Sequence, residues 1–349
     1  LRHAGAACAL ARVRPAASPA LGGPCVRWAS VSRPEFEHDD DVAQTTYLRR
    51  PGDGGFARRN FVGDTRGRDF HKVYKLTGKQ KDGGMAAIRG ALHRQTGVPV
   101  AVKLVAKSRV QDAKAMLREI EFLKVTDHPN IVRLHETFED AENMYLVMEY
   151  CMGDTLGDRI LSRHRDGTGF TEEEVVFFAR ELLRAVAYCH TQSIVHRDIK
   201  PCNIILASRP KLVDFGVSGV VPAQLPESRF LTAKTGTDGY MAPEVIRARP
   251  YGPSADIFSV GATLYTLITG EVPLWLDAVG AYSLPSSPRM EALSEEGRRL
   301  VLRMLSPSPQ RRPTAGEVLN DPWLRNSGQA CLQAQGSQEM LGLALQRLR

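Results

Sequence analysis

The chain contains no pair of cysteines with the spacing of a metal site or a redox motif. Its six cysteines are scattered at positions 8, 25, 151, 189, 202 and 331, and no Cys-x-x-Cys occurs. Zinc fingers and Cys-x-x-Cys redox sites need such spacing, so the sequence disfavours both. Scattered cysteines favour a reducing compartment, and Cys151 and Cys189 lie in apolar runs that predict core positions.

Long apolar runs are also missing. The longest one, residues 255–270, is sixteen residues long and contains Ser259, Thr263 and Thr266. A membrane-spanning helix needs about 20 predominantly apolar residues, so this run predicts a buried helix instead. We expect an intracellular protein without a membrane span, with the cytoplasm as the simplest location.

Acidic residues are absent from the first 34 positions, which carry five arginines. Removing these five charges from the formal net charge of +7 leaves +2 on the other 315 residues. The body of the chain is therefore nearly neutral, and we expect no nucleic-acid partner. Two interpretations of residues 1–34 stay open, a disordered basic tail or an organelle transit peptide.

Two ligand-binding motifs are absent as well. Gly78-Lys79 is followed by Gln80, so no Gly-x-x-x-x-Gly-Lys-Ser/Thr phosphate-binding loop is present. No Asp-x-Asp-x-Asp-Gly calcium loop occurs either, and no motif in the chain supports dependence on calcium or calmodulin.

What the sequence does contain is a cluster of oxygen-bearing side chains. Asp198, Asn203 and Asp214 fall within seventeen residues, interrupted by the apolar runs 204–206 and 212–213. Two brief strands joined by a turn would bring all three side chains to one end of a hairpin. Such a set suits phosphoryl transfer from a magnesium-bound nucleotide, since one carboxylate orients the hydroxyl while an amide and a second carboxylate hold the metal. The alternative is that each aspartate only caps a turn.

The hydrophobic pattern divides the chain into a strand-rich part and a helix-rich part. Residues 98–106, 132–138 and 144–150 predict strands, and residues 108–125 predict a helix that carries Glu119. Lys103, in the middle of the first strand, is by itself typical of an edge residue that faces solvent. Later in the chain, apolar residues recur at helical spacing after Thr171 and again after residue 256. The division predicts two lobes with a cleft between them.

The order of the motifs identifies a family. The octet from His196 to Asn203, Asp214-Phe215-Gly216 and Ala242-Pro243-Glu244 resemble the catalytic loop, the metal-binding loop and the end of the activation segment of serine/threonine protein kinases. Leu117-Arg118-Glu119 and His128-Pro129-Asn130 resemble the calcium/calmodulin-dependent group most.

The resemblance implies an α+β fold with two lobes. The N-lobe (70–150) would be small and mainly β with one helix, and the C-lobe (151–324) larger and mainly α. We expect a disordered basic extension and linker over residues 1–69 and a C-terminal tail over residues 325–349. The resemblance also implies ATP and Mg2+ as cofactors, protein substrates, an upstream activating kinase as a further partner, and a monomer.

The resemblance assigns roles to individual residues. Asp198 would orient the substrate hydroxyl, Lys200 would steady the γ phosphate, Thr237 would contact the catalytic aspartate, and Asn203 and Asp214 would bind magnesium. The residues expected to contact the nucleotide are Lys81, Gly83, Ile88, Ala101, Lys103, Glu119, Met148, Glu149, Cys151, Ile205 and Asp214.

Further expected contacts are structural. Glu119 would pair with Lys103, and Glu244 with Arg312. Asp256 would anchor the backbone of the catalytic loop. An apolar column linking the lobes is expected from Leu123, Leu134, His196 and Phe215.

The chain departs from the family in the loop that covers the phosphates. Residues 81–88 correspond to Gly-x-Gly-x-x-Gly-x-Val, of which only the middle glycine, Gly83, survives. Glycine lets backbone amides approach phosphate closely, so Lys81 and Ala86 in the other glycine positions predict weakened but not abolished nucleotide binding.

Two further departures concern the substrate. Thr155 and Cys202 stand where kinases that select an upstream arginine have glutamates, so we expect no such preference. Residues 275–293 are short and rich in Pro and Ser, which indicates a vestigial substrate-docking helix or a lost exon.

Regulation is also partly predicted from the motifs. Ala233 occupies the usual position of the phosphorylated threonine, while Thr232 and Thr235 flank it. The sequence leaves open whether either is phosphorylated and pairs with Arg197, or whether the segment is ordered without a phosphate. The leading functional interpretation is an active kinase, and the alternative is a pseudokinase that acts as a scaffold.

Overall fold

A computed structural model describes residues 63–64, 68–82, 86–109, 113–221, 231–276, 281–284 and 287–326. The predictions for residues 1–62, for Gly83 and for residues 327–349 lie outside these ranges. Within them, no helix is long and apolar enough to cross a membrane.

A six-stranded sheet forms the first lobe. The strand order is β1-β5-β6-β4-β3-β2, antiparallel throughout except for the parallel pair of β1 and β5. Strand β4 is central, so the register places Lys103 opposite Ile88 on one side and Leu146 on the other. The strands are Gly63–Asp64 (β1), Tyr74–Asp82 (β2), Ala86–His93 (β3), Pro99–Ala106 (β4), Leu134–Glu139 (β5) and Asn143–Glu149 (β6).

Two helices accompany this sheet, Phe70–Val73 (α1) and Ala113–Val125 (α2). Helix α2 begins later than residue 108, the predicted start, because Lys107–Arg109 form a 3-10 turn. Its buried Ile120 and Leu123 join the same apolar cluster as Ile88 and Leu134. On the other face, Phe70 stacks on Tyr145 with ring centroids 4.3 Å apart. Both faces of the sheet are therefore covered.

The second lobe is mainly helical and is built around one almost entirely buried helix. Every residue from Ala255 to Thr269 of this helix is buried, and Gly270 ends it with a φ of 81°. The helices are Leu156–Arg165 (α3), Glu172–Thr191 (α4), Pro243–Ile246 (α5), Ser254–Thr269 (α6), Pro288–Glu291 (α7), Glu295–Met304 (α8), Ala315–Leu319 (α9) and Pro322–Asn326 (α10). The predicted cap of α4 is present, because Thr171 and Glu174 form a capping box.

Short strands complete this lobe. Ile204–Leu206 (β8) and Pro210–Leu212 (β9) form the predicted hairpin, which follows Ile194–Val195 (β7). Strand β7 pairs with Gly219–Val220 (β10). In the shortened region, Leu274–Leu276 (β11) pairs with Ala281–Ser283 (β12), ahead of the four-residue α7. The predicted α+β architecture with two lobes is confirmed.

Candidate active site

The carboxylate of Asp198 is held by three donors from two loops. Its Oδ1 accepts a hydrogen bond from Thr237 Oγ1 at 2.7 Å, and its Oδ2 accepts one from Asn203 Nδ2 at 3.1 Å. Lys200 Nζ lies 2.9 Å from Oδ2 and also donates to Thr237 Oγ1 at 2.6 Å. Both carboxylate oxygens are therefore oriented, which is the preorganisation that a group accepting a proton from a hydroxyl needs.

The loop that carries Asp198 is fixed by a buried carboxylate on α6. Asp256 is fully buried and accepts hydrogen bonds from the backbone N–H groups of His196 (2.8 Å) and Arg197 (2.9 Å) and lies 3.0 Å from His190 Nε2. Burial alone would raise the pKa of Asp256, but the hydrogen bond and charge of His190 outweigh it and lower the pKa. The bonds also hold Arg197 at a φ of 73°, a conformation uncommon for a residue with a side chain.

A buried lysine joins two acidic side chains beside this loop. Lys103 Nζ lies 2.6 Å from Glu119 Oε1 and 3.1 Å from Asp214 Oδ1. Only 6% of Lys103 is exposed, so the solvent-facing interpretation of this lysine is wrong: β4 is a central strand, and its neighbours cover both edges.

The charges of this cluster stabilise one another. Burial acts to lower the pKa of Lys103, but the carboxylates of Asp214 and Glu119 outweigh it and raise the pKa. Burial likewise acts to raise the pKa of Asp214, and the Lys103 ammonium lowers it below its usual value. The pKa of Glu119 is raised, since burial exceeds the opposing influence of Lys103. Asp214 is thus held as a carboxylate.

Asn203 and Asp214 flank the β8–β9 hairpin. The amide nitrogen of Asn203 donates to the backbone oxygen of Asp198 at 2.8 Å, so its amide oxygen is left for another ligand. Val213 N donates to Asn203 O at 3.0 Å, which brings the residue before Asp214 next to Asn203. Among the described residues no group of three or more His, Cys, Asp or Glu side chains forms a metal site.

Apolar side chains line the sheet end of the cleft. Ile88, Ala101, Met148 and Ile205 are all buried, and the register places Ala101 opposite Met148. The backbone of Lys81 lies opposite Ile88, so β2 and β3 are still paired at this position.

Glu149 and Cys151, whose backbone the resemblance assigns to the base, lie at the end of β6 and just after it. Glu149 N–H donates to Arg133 O at 2.8 Å, and the Glu149 carboxylate pairs with Lys211 at 2.9 Å. Burial and the charge of Glu149 raise the pKa of Cys151 to about 12, so its thiol stays neutral. Cys151 is therefore suited to contact through its backbone and not through a thiolate.

The four residues of the expected apolar column are all buried. His196 packs its ring edge-on against Phe215, with centroids 4.7 Å apart, and Leu123 and Leu134 belong to the same hydrophobic cluster as Phe215. His196 Nδ1 accepts from Asp198 N at 3.3 Å, so this ring also links the column to the catalytic loop.

The end of the activation segment is anchored by a buried ion pair. Arg312 forms two parallel hydrogen bonds with the Glu244 carboxylate, at 2.5 and 2.8 Å. Gly236, with a φ of 126°, lies next to Thr237, and a side chain there would collide with the backbone oxygen of Arg197. The loop that carries Thr237 can therefore approach the catalytic loop only with glycine at this position.

Sequence reasoning missed two residues of this region, Tyr251 and His190. The Tyr251 hydroxyl accepts from Arg197 Nη1 at 3.3 Å and donates to Ala233 O at 2.7 Å. No local pattern distinguishes this tyrosine from an ordinary core residue. The sequence spacing of His190 and Asp256 likewise gives no sign that the two meet.

Thr155 and Cys202 lie on neighbouring elements. Thr155 is buried, and its hydroxyl caps α3 by bonding with Asp158. A side chain at Gly157 would lie 3.3 Å from Cys202 Sγ, so α3 packs closely on the catalytic loop here. Neither residue presents a charge.

The class of protein that this arrangement defines is a protein kinase. The family described as "Protein kinase domain" matches residues 74–324, well over half of the chain. The chain belongs to this family, and the predicted recognition is confirmed.

The relatives of the chain include kinases of several groups. It is 35% identical to sperm motility kinase 2A of Mus musculus over 268 residues, which cover 73% of this chain and 50% of the relative. It is 32% identical to calcium/calmodulin-dependent protein kinase type II of Caenorhabditis briggsae over 273 residues (74% and 50%). It is also 34% identical to calcium-dependent protein kinase 8 of Oryza sativa subsp. japonica over 305 residues (80% and 54%). The chain spans about half the length of these relatives.

Proposed function

We propose that this chain is a serine/threonine protein kinase that transfers the γ phosphate of ATP to hydroxyl groups of protein substrates. The observation that carries the proposal is the Asp198 carboxylate, which Thr237, Asn203 and Lys200 orient at one end of the β8–β9 hairpin. The buried ion pair of Lys103 and Glu119 supports it, because this pair positions nucleotide phosphates in the family.

The donor set fits magnesium and nucleotide phosphates. The Asn203 amide oxygen and the Asp214 carboxylate are hard oxygen donors of the kind that Mg2+ prefers, and they would hold the ion. When bound, Mg2+ neutralises charge on the phosphates. Lys103 would hold the nucleotide phosphates with its ammonium group, and its two carboxylate partners fix the position of that group.

Asp198 would accept a hydrogen bond from the substrate hydroxyl and take its proton as the new oxygen–phosphorus bond forms and the bond from the γ phosphorus to the ADP oxygen breaks. Lys200 lies beside the same carboxylate and would steady the phosphate that is transferred. Ile88, Ala101, Met148 and Ile205 would enclose the base, with the backbone at Glu149 and Cys151 as its hydrogen-bonding partners.

We further propose that the kinase acts as a monomer in the cytoplasm. Thr232 and Thr235 are exposed or half-exposed and flank the carbonyl that Tyr251 holds, so they are the residues on which an upstream kinase would act. A phosphate on either one would be a partner for the guanidinium of Arg197, which the Tyr251 hydroxyl links to Ala233.

The decisive experiment measures phosphate transfer by the purified full chain with Mg-ATP and a generic protein substrate. Asp198→Asn is expected to abolish transfer while the thermal shift with Mg-ATP persists, because Asp198 orients the hydroxyl and not the nucleotide. Asp154→Asn, an exposed residue outside this hydrogen-bonded set, is the matched control and should leave transfer unchanged. Absence of both transfer and thermal shift in the unsubstituted chain would overturn the proposal.

A further inference from the structure

The outer face of α8 carries a concentration of arginine that the kinase site does not use. Arg298, Arg299 and Arg303 lie on this face, and Arg311 lies on the 3-10 helix Pro309–Arg311 that follows. They line a groove of about 540 Å3, hereafter the arginine groove, together with Glu295, Leu302, Ser306 and Pro307. The inner face of α8 is the buried one, so the fold does not need these arginines for its core.

The positive charge of the arginine groove is only partly compensated. Four guanidinium groups face one lining carboxylate, and none of the four arginines forms an ion pair with a residue in the part of the chain that the structure describes. The neighbouring Glu317 bonds with Thr314 at the start of α9, and its charge attracts Arg303 without forming an ion pair. Arg299 and Arg303 are four residues apart on one helix, a spacing at which like charges repel. This surface therefore favours an anionic occupant.

The arginine groove also has an apolar component. Leu302 is 43% exposed in the middle of the groove, and Pro307 borders it. An occupant that matches both properties is a peptide with several carboxylates and a large apolar side chain.

One stretch of the chain has this composition. Residues 35–42, Glu-Phe-Glu-His-Asp-Asp-Asp-Val, contain five acidic residues and Phe36, and no window of eight residues outside residues 34–42 contains five acids. We propose that this acidic segment, residues 35–42, docks in the arginine groove of the same chain, with its carboxylates on the arginines and Phe36 against Leu302.

The length of the connection permits this docking. Twenty residues separate Val42 from Gly63, and a chain of that length spans up to about 70 Å when extended. A domain of about 250 residues has a radius of gyration of only about 18 Å, so the connection reaches any face of it. Attachment within one chain also supplies an effective concentration of about 1 mM, which makes a modest attraction sufficient.

Protection of the acidic segment from proteolysis tests the proposal on the full chain. A glutamate-specific protease cleaves after Glu35 and Glu37, and mass spectrometry of the released N-terminal fragments gives the rate. Each rate is divided by that of the free synthetic peptide of residues 30–46. At low salt we expect cleavage at least about tenfold slower in the full chain than in the peptide. In 0.5 M salt we expect most of this protection to disappear, because the Debye length is then only about 4 Å and the attraction between the charges is screened.

Charge reversal provides the matched variants. Arg299→Glu with Arg303→Glu should abolish the protection, whereas Arg247→Glu with Arg249→Glu, elsewhere on the same lobe, should leave it intact. When Asp39, Asp40 and Asp41 are also changed to Lys in the Arg299→Glu, Arg303→Glu variant, protection should be restored. The cleavage rate of this variant is divided by that of a free peptide with the same three lysines. If the α8 variant does not fold, the triple variant Asp39→Asn, Asp40→Asn and Asp41→Asn tests the same docking without any change in α8. Equal cleavage rates for the chain and the peptide would overturn the proposal. Protection that rises with protein concentration would also overturn it, since the acidic segment would then occupy the groove of a second copy.

Discussion

Lys103 shows how a residue's environment decides its chemistry. If this strand lay at a sheet edge, the Lys103 ammonium group would face water and would have no fixed partner. Here β3 and β6 flank β4, and the two carboxylates that meet Lys103 come from positions 16 and 111 residues away. The ion pairs hold the ammonium in one place, and a fixed charge in a buried site acts more strongly on a developing phosphate charge than one in water.

Replacing this lysine tests that role. Lys103→Met is expected to lower kcat/KM for phosphate transfer by at least about 10²-fold, since it removes a preorganised charge next to the phosphates. Steady-state kinetics with Mg-ATP measure the effect. Lys107→Met is the control, because Lys107 pairs with Glu139 at an exposed position and should leave the rate unchanged. Equal rates for both variants would contradict the assignment.

Asp256 is a residue whose contribution to stability depends on pH. Because the hydrogen bond and charge of His190 outweigh the effect of burial, the pKa of Asp256 in the folded state lies below its usual value. The contribution of the Asp256 carboxylate to the free energy of unfolding is therefore fully present above its unfolded-state pKa of about 4. It is lost as the pH falls through the lower folded-state pKa.

Asp256→Asn should consequently cost about 3 kcal/mol of unfolding free energy at pH 7, since an amide cannot accept all three N–H groups. The difference from the unsubstituted chain should stay constant between about pH 5 and pH 8 and shrink below about pH 4. Urea unfolding at pH 7, 5 and 3.5 measures it. A difference that grows on acidification would have the wrong sign for this explanation.

At the scale of elements, the activation segment and the turn before α6 behave as one unit. Leu231 and Tyr251 exchange two backbone hydrogen bonds, at 3.1 and 2.8 Å, and the Tyr251 hydroxyl joins Arg197 to Ala233. Arg197 also donates to the backbone oxygens of Val217 and Ser218. The catalytic loop, the segment after Asp214 and the described part of the activation segment are thus held together by hydrogen bonds to neutral oxygens.

Tyr251→Phe removes the shared hydroxyl from this unit. We expect kcat to fall about fivefold with little change in the KM for ATP, because the two hydrogen bonds of this hydroxyl, together contributing roughly 1 kcal/mol to positioning, no longer hold Arg197 and the segment. Tyr188→Phe is the comparison variant, since its hydroxyl bonds the backbone at Val125 and Asp127, and it should reduce stability without reducing kcat. Similar kcat values for the two variants would refute a positioning role for Tyr251.

For the molecule as a whole, the residues assigned to phosphate transfer are different from the residues assigned to substrate selection. The groups around Asp198 match the family, whereas Thr155 and Cys202 leave no carboxylate at the positions that bind an upstream arginine. A peptide array with the full chain should therefore show no strong selection for Arg three residues before the target hydroxyl. Asp198→Asn on the same array controls for contaminating kinases. Strong selection for that arginine would contradict this interpretation of Thr155 and Cys202.

Much of the fold follows from local patterns in the sequence. The apolar run of β4, the capping box of α4 and the apolar length of α6 are local properties that each element carries with it. The hairpin that gathers Asn203 and Asp214 is also local, because its two strands are separated by only three residues. The start of α2 was less predictable, since the 3-10 turn at Lys107–Arg109 continues the same side-chain pattern.

Sequence alone thus determined the family, the two lobes and the residues expected to perform the chemistry, since their types and order are written in short motifs. Only the tertiary structure decided that Lys103 is buried, that Asp256 is bonded to His190, and that Tyr251 joins Arg197 to Ala233. It also placed four arginines around one groove. These contacts join residues distant in sequence, and the physical reason is that burial, pKa and hydrogen-bond geometry depend on neighbours that only folding brings together.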